Sequence, residues 1–122
     1  MSKQEKMAAA PAAYLEALSN NDLEGILALY ADDAVVEDPV GTDPHVGIEA
    51  VRAFYQGVVD YDLEASLSGQ VRIAGDEVAF PFRCKNPAAG LTMNIIDLFK
   101  FNDEGKVCSM RAFWGEANAE MD

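Results

Sequence analysis

At 122 residues, half of them apolar, the chain has the length of one domain able to bury a core and leaves no room for a second. Twenty-one acids against nine bases give a formal charge of -12, which repels phosphate backbones and anionic lipid surfaces and argues against a nucleic-acid partner. No apolar run reaches the roughly 18 residues of a membrane span, and Met1-Ser2-Lys3-Gln4-Glu5-Lys6 leads into no signal-type hydrophobic region, so a soluble, cytoplasmic protein is expected.

Met7, Pro11, Tyr14, Leu15 and Leu18 fall on one stripe of an amphipathic helix, with Tyr14 on its apolar face. Pro11 either opens the well-ordered part of this helix or bends a longer one, and Asn20-Asn21 ends it. Asn21-Asp22-Leu23-Glu24 has the form of a capping box with Asn21 as the cap, Asp22 being the alternative. Leu23, Ile26, Leu27 and Tyr30 continue at helical spacing, which predicts a second helix carrying Tyr30 inward. Asp32 and Asp33 then lie near its C-terminal end, where negative charge is mildly unfavourable, and read as surface residues.

Pro39 disfavours the helical region for the residue before it, so Asp38 is pushed towards an extended conformation while Pro39 and Gly41 turn the chain. If residues 34–38 form a strand, Ala34, Val36 and Asp38 share one face and Val35 and Glu37 the other. Both faces carry valine, so periodicity leaves the inward side open; the working hypothesis is that Asp38 points inward as a proton-transferring base. His45, the single histidine, sits in the loop Thr42-Asp43-Pro44-His45-Val46-Gly47 and reads as a surface imidazole, with neither G-x-S-x-G nor a Cys-Gly signature beside it. One histidine and two separated cysteines match no zinc spacing, so no metal is expected.

Ile48, Val51, Phe54, Tyr55 and Val58 are spaced for a third helix, with Gly57 near its end. Beyond Tyr61 the period changes, and residues 63–67, 71–73, 77–84, 91–101 and 106–114 read as strands separated by turn signals. Three N-terminal helices followed by successive strands predict an α+β fold, a curved, mostly antiparallel sheet with helices on one face. Cys84 and Cys108 lie in apolar runs with no C-x-x-C pair and are expected reduced and buried, and residues 117–122 are expected to be loosely held.

Asp97 is the second unusual acid. It alternates onto one face with Ile95, Phe99 and Phe101, where a carboxylate costs stability unless it is hydrogen-bonded or neutral. Desolvation disfavours its charged form, so it can stay protonated and serve as a donor. Taken singly, Tyr14 and Tyr30 are ordinary core tyrosines and Asp38 an ordinary turn residue.

Taken together, these residues resemble a known family. Tyr14, the stretch Leu29-Tyr30-Ala31-Asp32-Asp33-Ala34-Val35-Val36-Glu37-Asp38-Pro39-Val40-Gly41, Ala53-Phe54-Tyr55, Ile96-Asp97-Leu98-Phe99-Lys100-Phe101, Gly105-Lys106-Val107 and Ser109-Met110-Arg111-Ala112 are similar to the ketosteroid isomerases of the NTF2-like superfamily. The resemblance runs from about Tyr14 to Glu116. It implies a single NTF2-like cone over residues 1–122 and a cofactor-free isomerase moving a double bond from the Δ5 to the Δ4 position of a 3-ketosteroid. It further implies that Asp38 carries the proton from C4 to C6 while Tyr14 and a protonated Asp97 hold the dienolate oxygen, an assignment inherited from the family. Tyr30 and Tyr55 match positions whose hydroxyls support Tyr14; Phe54, Phe82, Phe99, Met110 and Trp114 are implied pocket walls, with Trp114 also able to donate its indole N–H to Asp38. The family forms homodimers through the sheet, so a homodimer is implied. Residues 57–62 and 85–90 are expected to rim the pocket, with Asp60 and Asp62 unexplained. The competing readings are a polyketide cyclase of the same superfamily and a non-catalytic ligand-binding or dimerisation module.

Overall fold

The computed structural model describes residues 1–121. Helix α1, Lys3–Ser19, opens on a capping box in which Ser2 Oγ accepts from Glu5 N at 3.1 Å and Glu5 Oε1 accepts from Ser2 N at 3.0 Å. Pro11 lies inside this helix, buried, rather than at its start. Its ring therefore serves the core, and the helix forgoes one internal hydrogen bond.

Helix α2, Leu23–Leu27, is shorter than its hydrophobic spacing predicts. Its cap is Asp22, which accepts from Gly25 N at 3.0 Å, while Asn21 sits in the left-handed region at φ 55°. Gly25 leaves room for this cap, because a Cβ there would force the Asp22 carboxylate to shift.

Tyr30 does not continue α2. It begins strand β1, Tyr30–Glu37, and reaches the core from the sheet. Asp32 and Asp33 are exposed as expected, but on this strand and not at a helix end. The cause is non-local: β1 pairs in parallel with the distant strand β7, Val107–Phe113, and Val107 N donates to Leu29 O at 2.8 Å. A helical spacing of apolar residues carries no information about such a partner.

His45 and Val46 form a short strand, β2, antiparallel to β1, where a loop was expected. Gly47, at φ 89°, turns the chain into helix α3, Ile48–Val59. Strands β3 Glu64–Leu67, β4 Arg72–Ala74, β5 Glu77–Asn86 and β6 Leu91–Phe101 precede β7, and β8, Ala119–Met121, follows it. The sheet order is β2-β1-β7-β6-β5-β3, with β4 also on β5 and β8 on β6. Of these pairings only β1–β7 is parallel, so the sheet is mixed and mostly antiparallel.

The tail is better held than expected, since Ala119 to Met121 pair with Met93 to Leu91; Asp122 lies outside the described residues. Both cysteines are free thiols, but only Cys84 is buried and Cys108 is half-buried. The three helices and the sheet enclose one core, whose largest fully buried side chains include Tyr55, Phe80, Phe99, Met7, Ile26 and Met110. α1 packs on β3 and β5 and α3 on β1, which brings their tyrosines to the concave interior shared with Asp97.

Candidate active site

Asp38 follows the last residue of β1. Ala34 and Val36 are fully buried, and Asp38 continues their face into a cavity, while Glu37 turns the other way to Arg111 at 3.2 Å. The Asp38–Pro39 peptide is cis. Trp114, just beyond β7, donates its indole N–H to Asp38 Oδ1 at 2.7 Å. Burial raises the Asp38 pKa above the ordinary aspartate value; the Trp114 hydrogen bond and the charge of His45 work against that rise.

His45 is therefore no free surface imidazole. Its ring lies 4.7 Å from that of Phe54 and is half-buried. The β1–β2 pairing, which sets His45 opposite Val36, places it there.

Asp97 occupies the middle of the sheet, opposite Phe80 on β5 and Ala112 on β7, and is 1% exposed. Its Oδ1 has no hydrogen-bond partner among the described residues. Burial, followed by the nearby Asp38 charge, drives its pKa well above the usual carboxylate range. The protonated acid is the favoured form, with its hydrogen-bonding capacity unspent on the protein.

Three tyrosines form a chain beside it. The hydroxyls of Tyr14 and Tyr55 are 2.9 Å apart, and those of Tyr55 and Tyr30 2.5 Å apart. Burial is the leading cause that pushes all three phenols well above their ordinary pKa, so they remain donors. Phe99 meets the Tyr14 ring edge-on at 5.2 Å and Phe80 at 6.2 Å, which orients the phenol.

The cavity has a volume of about 470 Å³. Asp38, Tyr14, Tyr55, Asp97, Phe54, Phe82 and Trp114 all line it. Tyr30 reaches it only through Tyr55. Phe99 and Met110, expected as walls, are fully buried and are not among the lining residues; they stand behind the wall. The expected rim segments supply Val58, Tyr61 and Asn86, and Ile95 lines the cavity beside Asp97; the inward alternation of β5 and β6 adds Cys84 and Met93, which sequence reading did not single out as lining, and Leu18 comes from α1. That alternation was visible in the sequence, and only the closure of the cavity was not. A separate hollow of about 290 Å³ beside α1 is lined by alanines and lysine stems and carries no acid. Among the described residues no group of His, Cys, Asp or Glu is placed to hold a metal ion, and no helix is long and apolar enough to cross a membrane.

Residues 12–110 match the SnoaL-like domain. The chain is 38% identical over 108 residues to a steroid Delta-isomerase of Nocardioides simplex, covering 87% of each. It is 27% identical over 117 residues to the epoxide hydrolase LasB of Streptomyces lasalocidi, covering 84% of this chain but 39% of LasB. The structure of SalBIII, described as an epoxide hydrolase/cyclase-like enzyme with a role in pyran ring formation in the polyether salinomycin, superposes with a TM-score of 0.89 at 25% identity, over 100% of both chains. The α+β expectation is met in full, and the chain belongs to the SnoaL-like family of NTF2-like domains, as a homologue of steroid Delta-isomerase.

Proposed function

We propose that this protein is a cofactor-independent steroid Δ5-isomerase. The observation that carries the reading is the grouping of a base, Asp38, with two donors, Tyr14 and Asp97, in one largely apolar cavity. A flat apolar substrate with a single ketone suits such a wall, and a ketone oxygen that gains charge uses both donors.

In this reading Asp38 removes a proton from C4. The C–H electron pair forms C3=C4, and the carbonyl π pair moves onto O3, where Tyr14 and the protonated Asp97 donate hydrogen bonds. Asp38 then returns the proton to C6. The C5=C6 pair forms the new C6–H bond, the C3=C4 pair becomes C4=C5, and C3=O is restored in conjugation with it. Tyr55 and Tyr30 hold the Tyr14 hydroxyl in a polarised chain, and Trp114 fixes Asp38. General-base catalysis contributes about 10²- to 10⁴-fold, and each oxyanion donor about 10²- to 10³-fold.

The same reading includes a cytoplasmic homodimer. Its face is the outer side of the sheet, where Ile96 and Phe113 pair across β6 and β7 and are 47% and 41% exposed. Sedimentation of wild type and an Ile96→Glu variant tests it: a shift to monomer is expected in the variant alone.

A second reading is an epoxide-opening hydrolase or cyclase, favoured by the full-length similarity to SalBIII. A neutral Asp97 could protonate an epoxide oxygen while Asp38 takes the proton of the attacking hydroxyl. The higher identity to the isomerase and the tyrosine chain behind Tyr14 favour the steroid reaction. The deciding assay follows conjugated-enone absorbance with 5-androstene-3,17-dione for wild type and Asp38→Asn. Turnover by wild type and its collapse in the variant are expected. No turnover by wild type, together with opening of an epoxy alcohol, would reverse the ranking.

A further inference from the structure

One wall of the cavity is a ladder that runs from the buried acid to open water. Phe80 faces Asp97 across β5 and β6, followed by Phe82 with Ile95, Cys84 with Met93 and Asn86 with Leu91. A two-residue period puts all of these on one side of the sheet. Burial falls along the ladder: Phe80 and Asp97 are fully buried, while Asn86 and Leu91 are half-buried. Six residues of strand separate Asp97 from Leu91, about 20 Å at roughly 3.3 Å per residue. The rungs between are uncharged, and the Cys84 thiol, pushed up to about 11 mainly by burial, stays neutral.

Asn86 ends this apolar stretch with an amide. Its Oδ1 accepts from Ala89 N at 3.4 Å, in the tight turn Pro87–Ala89 that Gly90 closes in the left-handed region. That bond requires an acceptor, so it settles which end of the amide faces the turn. The other end, Nδ2, has no partner among the described hydrogen bonds, and Asn86 lines the cavity. Tyr61 also lines the cavity, in a turn that Asn21 Nδ2 secures to the end of α1 by donating to Asp62 Oδ1 at 2.5 Å. This gives Asp62 a structural role at the entrance.

We infer that Asn86 Nδ2 is a donor for a second oxygen of the ligand, at the end opposite the ketone held by Tyr14 and Asp97, so that the cavity selects 3-ketosteroids whose C17 substituent carries an acceptor. The inference rests on the steroid reading. The Cys84–Met93 rung is about 13 Å along the strand from Asp97, the region where the ring nucleus ends, and the Asn86–Leu91 rung lies beyond it. An acetyl group at C17 extends past the nucleus towards that amide, and a ligand bare at C17 offers it nothing.

The test is a binding ratio. Progesterone and 4-androsten-3-one, which has no oxygen at C17, are titrated against wild type, Asn86→Asp and Asn86→Leu by quenching of Trp114, the single tryptophan and part of the cavity wall. Asn86→Asp keeps the oxygen that caps Ala89 and lacks the amide donor, whereas Asn86→Leu lacks both. Wild type is expected to prefer progesterone, and both variants to lose about threefold to tenfold of that preference. An unchanged ratio in Asn86→Asp overturns the proposal, because a loss confined to Asn86→Leu assigns the residue to the turn alone. Quenching by neither steroid also overturns it. Enone formation by wild type with an unchanged ratio removes only the Asn86 role; an altered ratio without enone formation removes only the isomerase reaction.

Discussion

The indole N–H of Trp114 donates to Oδ1 of Asp38 at 2.7 Å, joining residues 76 positions apart in the chain. The bond stabilises the carboxylate and so works against the burial that raises the Asp38 pKa. Protonation of Asp38 removes the base, so kcat/KM should fall as pH drops, with its acid limb above the ordinary aspartate value of 3.8. Trp114→Phe should move that limb to higher pH, because the opposing hydrogen bond is gone. Steady-state pH profiles of the two proteins check the direction; a limb that moves lower refutes it.

Tyr14→Phe should cost about 10²- to 10³-fold in kcat, the usual effect of removing one oxyanion donor. Tyr30→Phe and Tyr55→Phe leave the Tyr14 hydroxyl in place and should cost less, with Tyr55→Phe the larger because it breaks both links of the chain. Kinetics of the three variants rank them. A Tyr30→Phe loss equal to that of Tyr14→Phe would contradict the order.

Asp97→Asn should lower activity and raise stability. Native Asp97 holds its proton more tightly than the unfolded chain does, because burial raises its pKa. Its contribution to stability is therefore full below the unfolded value, near 3.8, and is lost as pH rises through the higher native value. The asparagine variant does not titrate, so its advantage in Tm should grow as pH rises across that window. Thermal melts from pH 4 to pH 8 provide the measurement; an advantage that shrinks with pH would exclude the mechanism.

Phe99→Ala should destabilise the fold by about 3–5 kcal/mol, since this ring is fully buried and packs against Tyr14, Tyr30, Phe80 and Phe101. Activity should fall with it, through loss of Tyr14 orientation, and Phe99→Leu should recover part of both. Urea unfolding beside the steroid assay separates the effects.

Local pattern was sufficient for much of this protein. The stripe through Tyr14, the third helix around Tyr55 and the period-two strands of the second half were all legible, because backbone periodicity follows from which face is buried. The anomaly of Asp97 was legible too, as a carboxyl group alternating with phenylalanines. The helical spacing predicts Tyr30 on α2, but its strand is held by β7, whose pairing no neighbouring residue announces. The loop setting that the sequence predicts for His45 gives way to β2, because two residues of strand carry no period of their own.

What the amino-acid order determined alone was the set of chemical groups, an acid before proline, an acid among aromatics and several tyrosines, and the buried face for Tyr14, Tyr55 and Asp97 but not for Asp38. Their meeting was decided only in three dimensions. Asp38, Tyr14 and Asp97 share a cavity because α1, the end of β1 and the middle of β6 close around one volume. Burial in that volume favours the protonated form of Asp97 while the Trp114 hydrogen bond favours the charged form of Asp38, so the surroundings push two identical side chains in different directions.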